Sequence, residues 1–279
     1  MIPSAEEGYS VLMAVYREEN PEFFRQSIYS MVNQTLEPSD FVLVCDGPLN
    51  SRLEEVIREA EMLLGPRLQC VRLPENKGLG NALREGVPRC KCPVIARMDS
   101  DDISRPYRCE RQIKVLQSGD YAVVGGSLQE FRENPGDTPK LRVLPEMPEE
   151  IAKFAKKRNP FNHPCVMYKK EAVLKSGNYI DFPGFEDYCL WVRMLKRGYK
   201  GYNLPEIVLD MRVGNGMYAR RGGVNYMKAI INFQKFLRNE KMISTGTFLC
   251  NCTVRSLVGL VPSGLREKIY KVFLRKKGQ

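Results

Sequence analysis

Pro93-Val94-Ile95-Ala96-Arg97-Met98-Asp99-Ser100-Asp101-Asp102 is the stretch that decides how this chain is read. Its apolar run begins a strand short enough and continuous enough to be covered on both faces. Where that strand emerges, three carboxylates fall within four residues. Like charges this close disfavour full ionisation unless a cation offsets them, so a metal carrying a phosphate is their natural partner. The plainer alternative is a solvated turn in which Asp102 caps the segment through Ile103-Ser104-Arg105-Pro106. Arg97, just before the cluster, can reach a phosphate or form a salt bridge to these aspartates.

Outward from that stretch, short apolar runs alternate with helical patterns. Strands are expected at Ser10 to Tyr16, Phe41 to Cys45, Leu68 to Leu73, Val94 to Met98 and Ala122 to Gly125. Helices are expected between them at Pro21 to Gln34, Ser51 to Leu63, Leu79 to Gly86 and Pro106 to Gln117. The alternation implies an α/β fold with a mostly parallel sheet and helices on its faces. In such sheets ligands bind beyond the carboxyl ends of the strands. Four of those ends carry Val15-Tyr16-Arg17, Asp46-Gly47, Asn76-Lys77-Gly78 and Asp99 through Asp102. From Glu133 to Lys140 the composition turns to Asn, Pro, Gly and Asp, a loop or an internal boundary. Beyond it, helices are expected at Ile151 to Lys157 and Asp187 to Arg197, strands at Cys165 to Tyr168 and Glu206 to Met211, and two or three helices from Gly223 on.

At 279 residues the chain can bury a substantial core, and its 43% hydrophobic and 27% charged residues are ordinary for a globular protein. The start, Met1 to Gly8, has neither a basic segment nor a long apolar one, so a signal peptide is not expected and the cytoplasm is. Nine cysteines, Cys45 and Cys165 among them in apolar runs, read as reduced packing residues; none has zinc-site spacing with the single His163. The net charge of +10 is concentrated at the end. From Arg220 to Gln279 thirteen Lys and Arg face only Glu240 and Glu267, a local net of +11. That basic, partly apolar region suits an anionic membrane surface better than nucleic acid. Its apolar segments fall short of a spanning helix.

Taken in order, six segments resemble family 2 glycosyltransferases of the GT-A fold, especially bacterial enzymes that extend capsular, exopolysaccharide and O-antigen units. They are Tyr9 to Tyr16, Ser30-Met31-Val32-Asn33-Gln34-Thr35, Val44-Cys45-Asp46-Gly47, Asn76-Lys77-Gly78-Leu79-Gly80, Arg97 to Asp102, and Phe185-Glu186-Asp187-Tyr188-Cys189-Leu190-Trp191. The resemblance covers about residues 9 to 220. It implies that Ala14, Val15, Tyr16 and Asp46 form a nucleotide pocket at the uracil edge. Asn76, Lys77 and Gly78 open a helix toward the donor, although Leu83-Arg84 stands where the family often has Arg-Asn. Asp99 and Ser100 are then expected near the ribose or the metal shell, Asp101 on a Mn²⁺ or Mg²⁺ bridging the diphosphate of a UDP-sugar, and Asp102 beside it. Asp187 is expected as the base that deprotonates the acceptor hydroxyl, with Glu186 next to it. His163 falls on the acceptor wall, and Arg212 and Arg220 belong to a loop, Met211 to Arg221, that closes over the diphosphate.

The implied organisation is a catalytic domain over 1–221, its nucleotide half about 9–132 and its acceptor half about 133–221, followed by a basic helical region over 222–279. The implied reaction is inverting transfer of a hexose or N-acetylhexosamine to a polyprenyl-diphosphate-linked glycan at the inner face of the membrane. Two other classes stay open on the residues alone. A nucleotidyltransferase also holds metal with aspartates, but its lysine-bearing phosphate loop is missing. A non-catalytic basic module would bind lipid or nucleic acid through the tail.

Overall fold

Each expected strand of the first half forms, and the helices between them pack on the two faces of one sheet. The computed structural model describes residues 8–214 and 223–260, and the architecture is that of these residues. In chain order they run β1 (Tyr9–Tyr16), α1 (Pro21–Val32), β2 (Asp40–Asp46), α2 (Ser51–Leu64), β3 (Leu68–Arg72), α3 (Leu79–Arg89), β4 (Val94–Met98), β5 (Ile103–Ser104), α4 (Arg108–Ser118) and β6 (Tyr121–Phe131). After these come β7 (Leu141–Arg142), α5 (Pro148–Phe154), β8 (Met167–Lys169), α6 (Lys170–Lys175), α7 (Glu186–Lys196), β9 (Lys200–Arg212), α8 (Gly223–Asn239) and α9 (Thr245–Leu260).

The sheet order is β3-β2-β1-β4-β8-β6-β9-β5, with β7 paired to β6. β1, β2, β3 and β4 are mutually parallel, β8 runs antiparallel to both β4 and β6, and β9 is parallel to β6. Chain order reverses between β1 and β4, so the crevice beyond their carboxyl ends is a topological switch point, the place where open α/β sheets bind ligands. The pairings Tyr16↔Asp46 and Met13↔Met98 bring the ends of β2, β1 and β4 side by side there.

Residue alternation splits the core into two layers. Val11, Met13 and Val15 of β1 and Ala96 and Met98 of β4 face α1, α2 and α4. Leu12, Val42, Val44 and Ile95 face α3 and α7 through Ala82, Leu83, Leu190 and Trp191. Local chemistry starts the helices where the sequence implies. The Asn20 side chain accepts the N–H of Glu22 to begin α1 at Pro21, and Asn50 accepts that of Leu53 to begin α2. A third cluster docks the C-terminal helices: Phe233 and Leu237 of α8 pack against Tyr188, Cys189 and Val192 of α7. Phe185 stacks on Phe233 at 4.5 Å.

Several elements differ from expectation. β6 and β9 are longer than the expected four- and six-residue strands because they pair with each other over most of their length, with the register shifting at irregularities between Tyr121 and Leu128. The segment from Glu133 to Lys140 is the loop joining β6 to β7 within the same sheet; Asp137 folds it by accepting the backbone N–H groups of Arg132, Glu133 and Asn134. The short helix α6 has no counterpart among the expected elements. Cys45 and Cys165 are buried and unpaired, as their apolar surroundings imply. None of the described helices is long and apolar enough to cross a membrane.

Candidate active site

The carboxyl end of β4 delivers Asp99, Ser100, Asp101 and Asp102 into the switch-point crevice. One carboxylate oxygen from each of Asp99, Asp101 and Asp102 lies within 4.8 Å of the others. Neighbouring elements hold the turn rigid. Ser27 of α1 donates to the Asp99 carbonyl at 2.6 Å, and Ser100 donates to Glu19 at 2.6 Å. Asp102 Oδ1 accepts the Arg212 backbone N–H at 2.8 Å, while its Oδ2 is buried without a hydrogen-bond partner. Gln34 of the Ser30–Thr35 segment buttresses the exit of the turn, donating to the Arg105 carbonyl and to Ser104 and accepting the Cys109 N–H.

Burial pushes the Asp101 carboxyl up to about 7, and the facing charges of Asp99 and Glu19 push the same way. Burial likewise raises Asp102, reinforced by Asp101 and Asp99. Carboxylates crowded against one another, with an orphaned buried oxygen among them, are the donor set of a hard divalent cation such as Mg²⁺ or Mn²⁺. The residues fit such an ion.

Asp46, at the end of β2, accepts the N–H of Lys77 at 2.8 Å and that of Gly78 at 2.9 Å. It thereby sets the entry to α3, whose first helical position is Leu79. Gly47 takes φ +87°, and a Cβ there would meet the Asn76 nitrogen at 2.7 Å, so the loop approaches β2 as only glycine allows. Ala14 and Val15, near the end of β1, pair with Val44 and Cys45 of β2. Tyr16, the last residue of β1 and 42% exposed, offers a bare ring beside Asp46. Asn76 and Lys77 are exposed, and Arg84 points to solvent while Leu83 is buried in the core.

The second acidic pair opens α7. Asp187 is 8% exposed and accepts the Asn159 side-chain N–H at 2.5 Å. Burial raises its carboxyl above the usual range, with the Asn159 bond opposing the rise. Burial pushes Glu186 up to about 7, and the Asp187 charge adds to the effect. A carboxyl poised near neutrality is suited to accept a proton. α3 brings the two halves together. Gly80 packs so close that a Cβ there would sit 3.1 Å from Glu186 Cβ.

His163 pairs through Nε2 with the Tyr179 hydroxyl at 3.0 Å and lies edge-on to Trp191. Burial and the Arg97 guanidinium hold its imidazole well below the usual histidine range, so it is neutral. Arg212 is sandwiched between the rings of Phe23 and Phe131, 3.7 and 4.4 Å from their centroids. Its guanidinium donates to the Asp101 carbonyl and to Gln26. It braces the acidic turn from below. Arg220, and the loop from residue 215 to Arg221, lie outside the described residues, as does the tail beyond residue 260.

Glu19, Ser27 and Asn159 carry no signal in the sequence pattern, because their roles need the folded sheet edge. Of the two partners open to Arg97, the structure shows the aspartate: the guanidinium bridges to Asp99.

With this geometry in place, residues 10–176 match the model of Glycosyl transferase family 2. The chain belongs to that family. An Escherichia coli relative, UDP-Gal:alpha-D-GlcNAc-diphosphoundecaprenol beta-1,3-galactosyltransferase, is 34% identical over 269 residues, covering 96% of this chain and 97% of that one. Among solved structures, S. aureus TarS 1-349 in complex with UDP-GlcNAc superposes with a TM-score of 0.64 at 12% identity, over 96% of this chain and 71% of that one. The mannosyltransferase PcManGT from Pyrobaculum calidifontis, in complex with GDP-Man and Mn2+, gives 0.63 at 12% identity, over 97% and 82%. The fold is accordingly that of the GT-A glycosyltransferases.

Proposed function

We propose that this chain transfers a hexose or N-acetylhexosamine, with inversion, from a UDP-sugar to a polyprenyl-diphosphate-linked glycan during assembly of a bacterial surface polysaccharide. The observation that carries the reading is the placement of two separate acidic groups around one crevice, Asp99 to Asp102 at the end of β4 and Glu186-Asp187 at the start of α7. Family membership sets the nucleotidyltransferase reading aside. The Escherichia coli relative, whose name gives a UDP-sugar donor and a lipid-diphosphate acceptor, supports the choice of substrates.

In this reading Tyr16 lies against the base of the donor nucleotide, and Asp46 holds Lys77 and Gly78 so that the start of α3 faces the donor. Asp101, with Asp99 and Asp102, would hold a divalent cation, which when bound would supply the positive charge that offsets the departing diphosphate. Asp187 accepts the proton of the attacking acceptor hydroxyl, and Glu186 and Asn159 orient it. Attack from the face opposite the diphosphate inverts the anomeric centre. His163 lines the acceptor side and Arg220 belongs to the loop over the diphosphate, whereas Arg212, expected in that loop, is the last residue of β9 and holds the acidic turn instead. Residues 1–221 form the catalytic domain. The basic region over 222–279 holds the enzyme to anionic lipid at the cytoplasmic face of the membrane, where a lipid-linked acceptor is found.

The test is UDP release from a panel of UDP-sugars with a lipid-diphosphate GlcNAc acceptor. Asp187→Asn is expected to keep UDP binding and to lose about 10³-fold in turnover. Normal turnover in that variant removes Asp187 from the role of base.

A further inference from the structure

Arg212 closes β9, and its register partner on β6 is Phe131. Side chains paired across strands lie close enough to touch, and the guanidinium sits 4.4 Å from the Phe131 ring centroid. α1 supplies a second ring, Phe23, at 3.7 Å. The nitrogens of the group are engaged as well. Nε donates to the Asp101 carbonyl at 3.0 Å, Nη2 donates to Gln26 Oε1 at 2.9 Å, and Nη1 lies 3.5 Å from the Arg132 carbonyl. The backbone N–H of the same residue donates to Asp102 Oδ1 at 2.8 Å. One residue thus grips two consecutive members of the acidic turn, Asp101 by its carbonyl and Asp102 by its carboxylate. With Oδ1 held, Oδ2 is the oxygen of Asp102 left without a hydrogen-bond partner.

Charge alone does not account for an arginine here. A guanidinium beside Asp101 and Asp102 repels a second cation brought to the same carboxylates. Its geometry does the opposite. A planar fork locked against two rings fixes the direction of every bond it makes, which a flexible ammonium cannot do.

We propose that Arg212 is a positioning residue for the cation site, holding the Asp101-Asp102 turn in its ligating arrangement through hydrogen bonds rather than through charge. The inference rests on the reading of Asp99, Asp101 and Asp102 as the ligands of a divalent cation. Arg212→Met keeps an unbranched stem between the rings but removes the fork and the charge. Arg212→Lys keeps the charge and loses the fork. Both leave the backbone N–H to Asp102 in place.

Manganese alone, without nucleotide, is titrated into the full chain, and the free ion is read by electron paramagnetic resonance, with folding checked by circular dichroism. Both variants are expected to bind manganese about 10-fold more weakly than the parent, the scale of a partner that orients a metal ligand. An arginine acting by charge predicts the reverse for Arg212→Met, tighter binding, and one that meets only the diphosphate predicts no change. Either folded variant binding as tightly as the parent, or more tightly, overturns the proposal. Should Arg212→Met not fold, Arg212→Lys decides alone by the same criterion. Asp101→Asn separates the two readings. Manganese held equally by the parent and Asp101→Asn, or not held by the parent, defeats the cation site and this proposal with it. Manganese lost in Asp101→Asn and kept in Arg212→Met defeats only the role of Arg212.

Discussion

Asp101 provides a quantitative test of the crowded acidic turn. Its carboxyl is pushed up to about 7 from an ordinary 3.8, so the folded chain holds that proton more tightly than the unfolded chain does. Stability from this group is present in full below about pH 4 and is lost as pH rises through about 7. A rise from 3.8 to about 7 corresponds to a ceiling of about 4 kcal/mol. The proton is shared with Asp102, so about 2 kcal/mol is the realistic share for Asp101. The comparison is urea unfolding at pH 5.5 and pH 8, in chelator, for the parent chain and Asp101→Asn. His163 works in the opposite direction, since its unfolded imidazole binds a proton near pH 5.5 that the buried ring refuses. The buried cysteines act above pH 8, and both contributions cancel between the two proteins. The parent is expected to lose about 2 kcal/mol more than the variant between pH 5.5 and pH 8. Manganese with UDP is expected to abolish the difference. Equal pH dependence in the two proteins would show that the carboxylates do not crowd one another, and the argument for a cation there would lose its basis.

Two further substitutions probe the scaffold of the site. Gly47→Ala places a Cβ 2.7 Å from the Asn76 nitrogen at φ +87°, and is expected to destabilise by about 1–3 kcal/mol and raise the KM for the donor, read by urea unfolding and initial rates. Gln112 of α4 donates to the carbonyls of Val124, Gly125 and Cys165 and accepts from the fully buried Arg108, stitching β6 to the segment before β8. Gln112→Leu strands those groups and is expected to cost about 2–4 kcal/mol, with donor KM little changed in the folded fraction.

The parallel half of the sheet is legible in the sequence because β1, β2 and β4 are apolar on successive residues and Asn20 and Asn50 mark their helices. The second half is less so. β8 is three residues long, and β9 gains its length from pairing with β6, a long-range contact that no local pattern records. The acidic turn is legible because three aspartates at a strand exit have few uses. What supports it is not. Glu19, Ser27, Gln34 and Arg212 come from other parts of the chain, and only the sheet order makes them neighbours. Asp46 is the instructive case. Its position at a strand end is readable, yet both of its oxygens are engaged by the backbone of Lys77 and Gly78, so its carboxylate shapes the donor loop.

The proposed function requires that a nucleotide donor be held through a divalent cation at Asp99, Asp101 and Asp102. Calorimetric titration of UDP into the full chain, with manganese and with chelator, for the parent and for Asp101→Asn, addresses it directly. Binding that requires manganese and disappears in the variant is the expected result. UDP that binds equally well in chelator, or binds the variant as tightly as the parent, contradicts it.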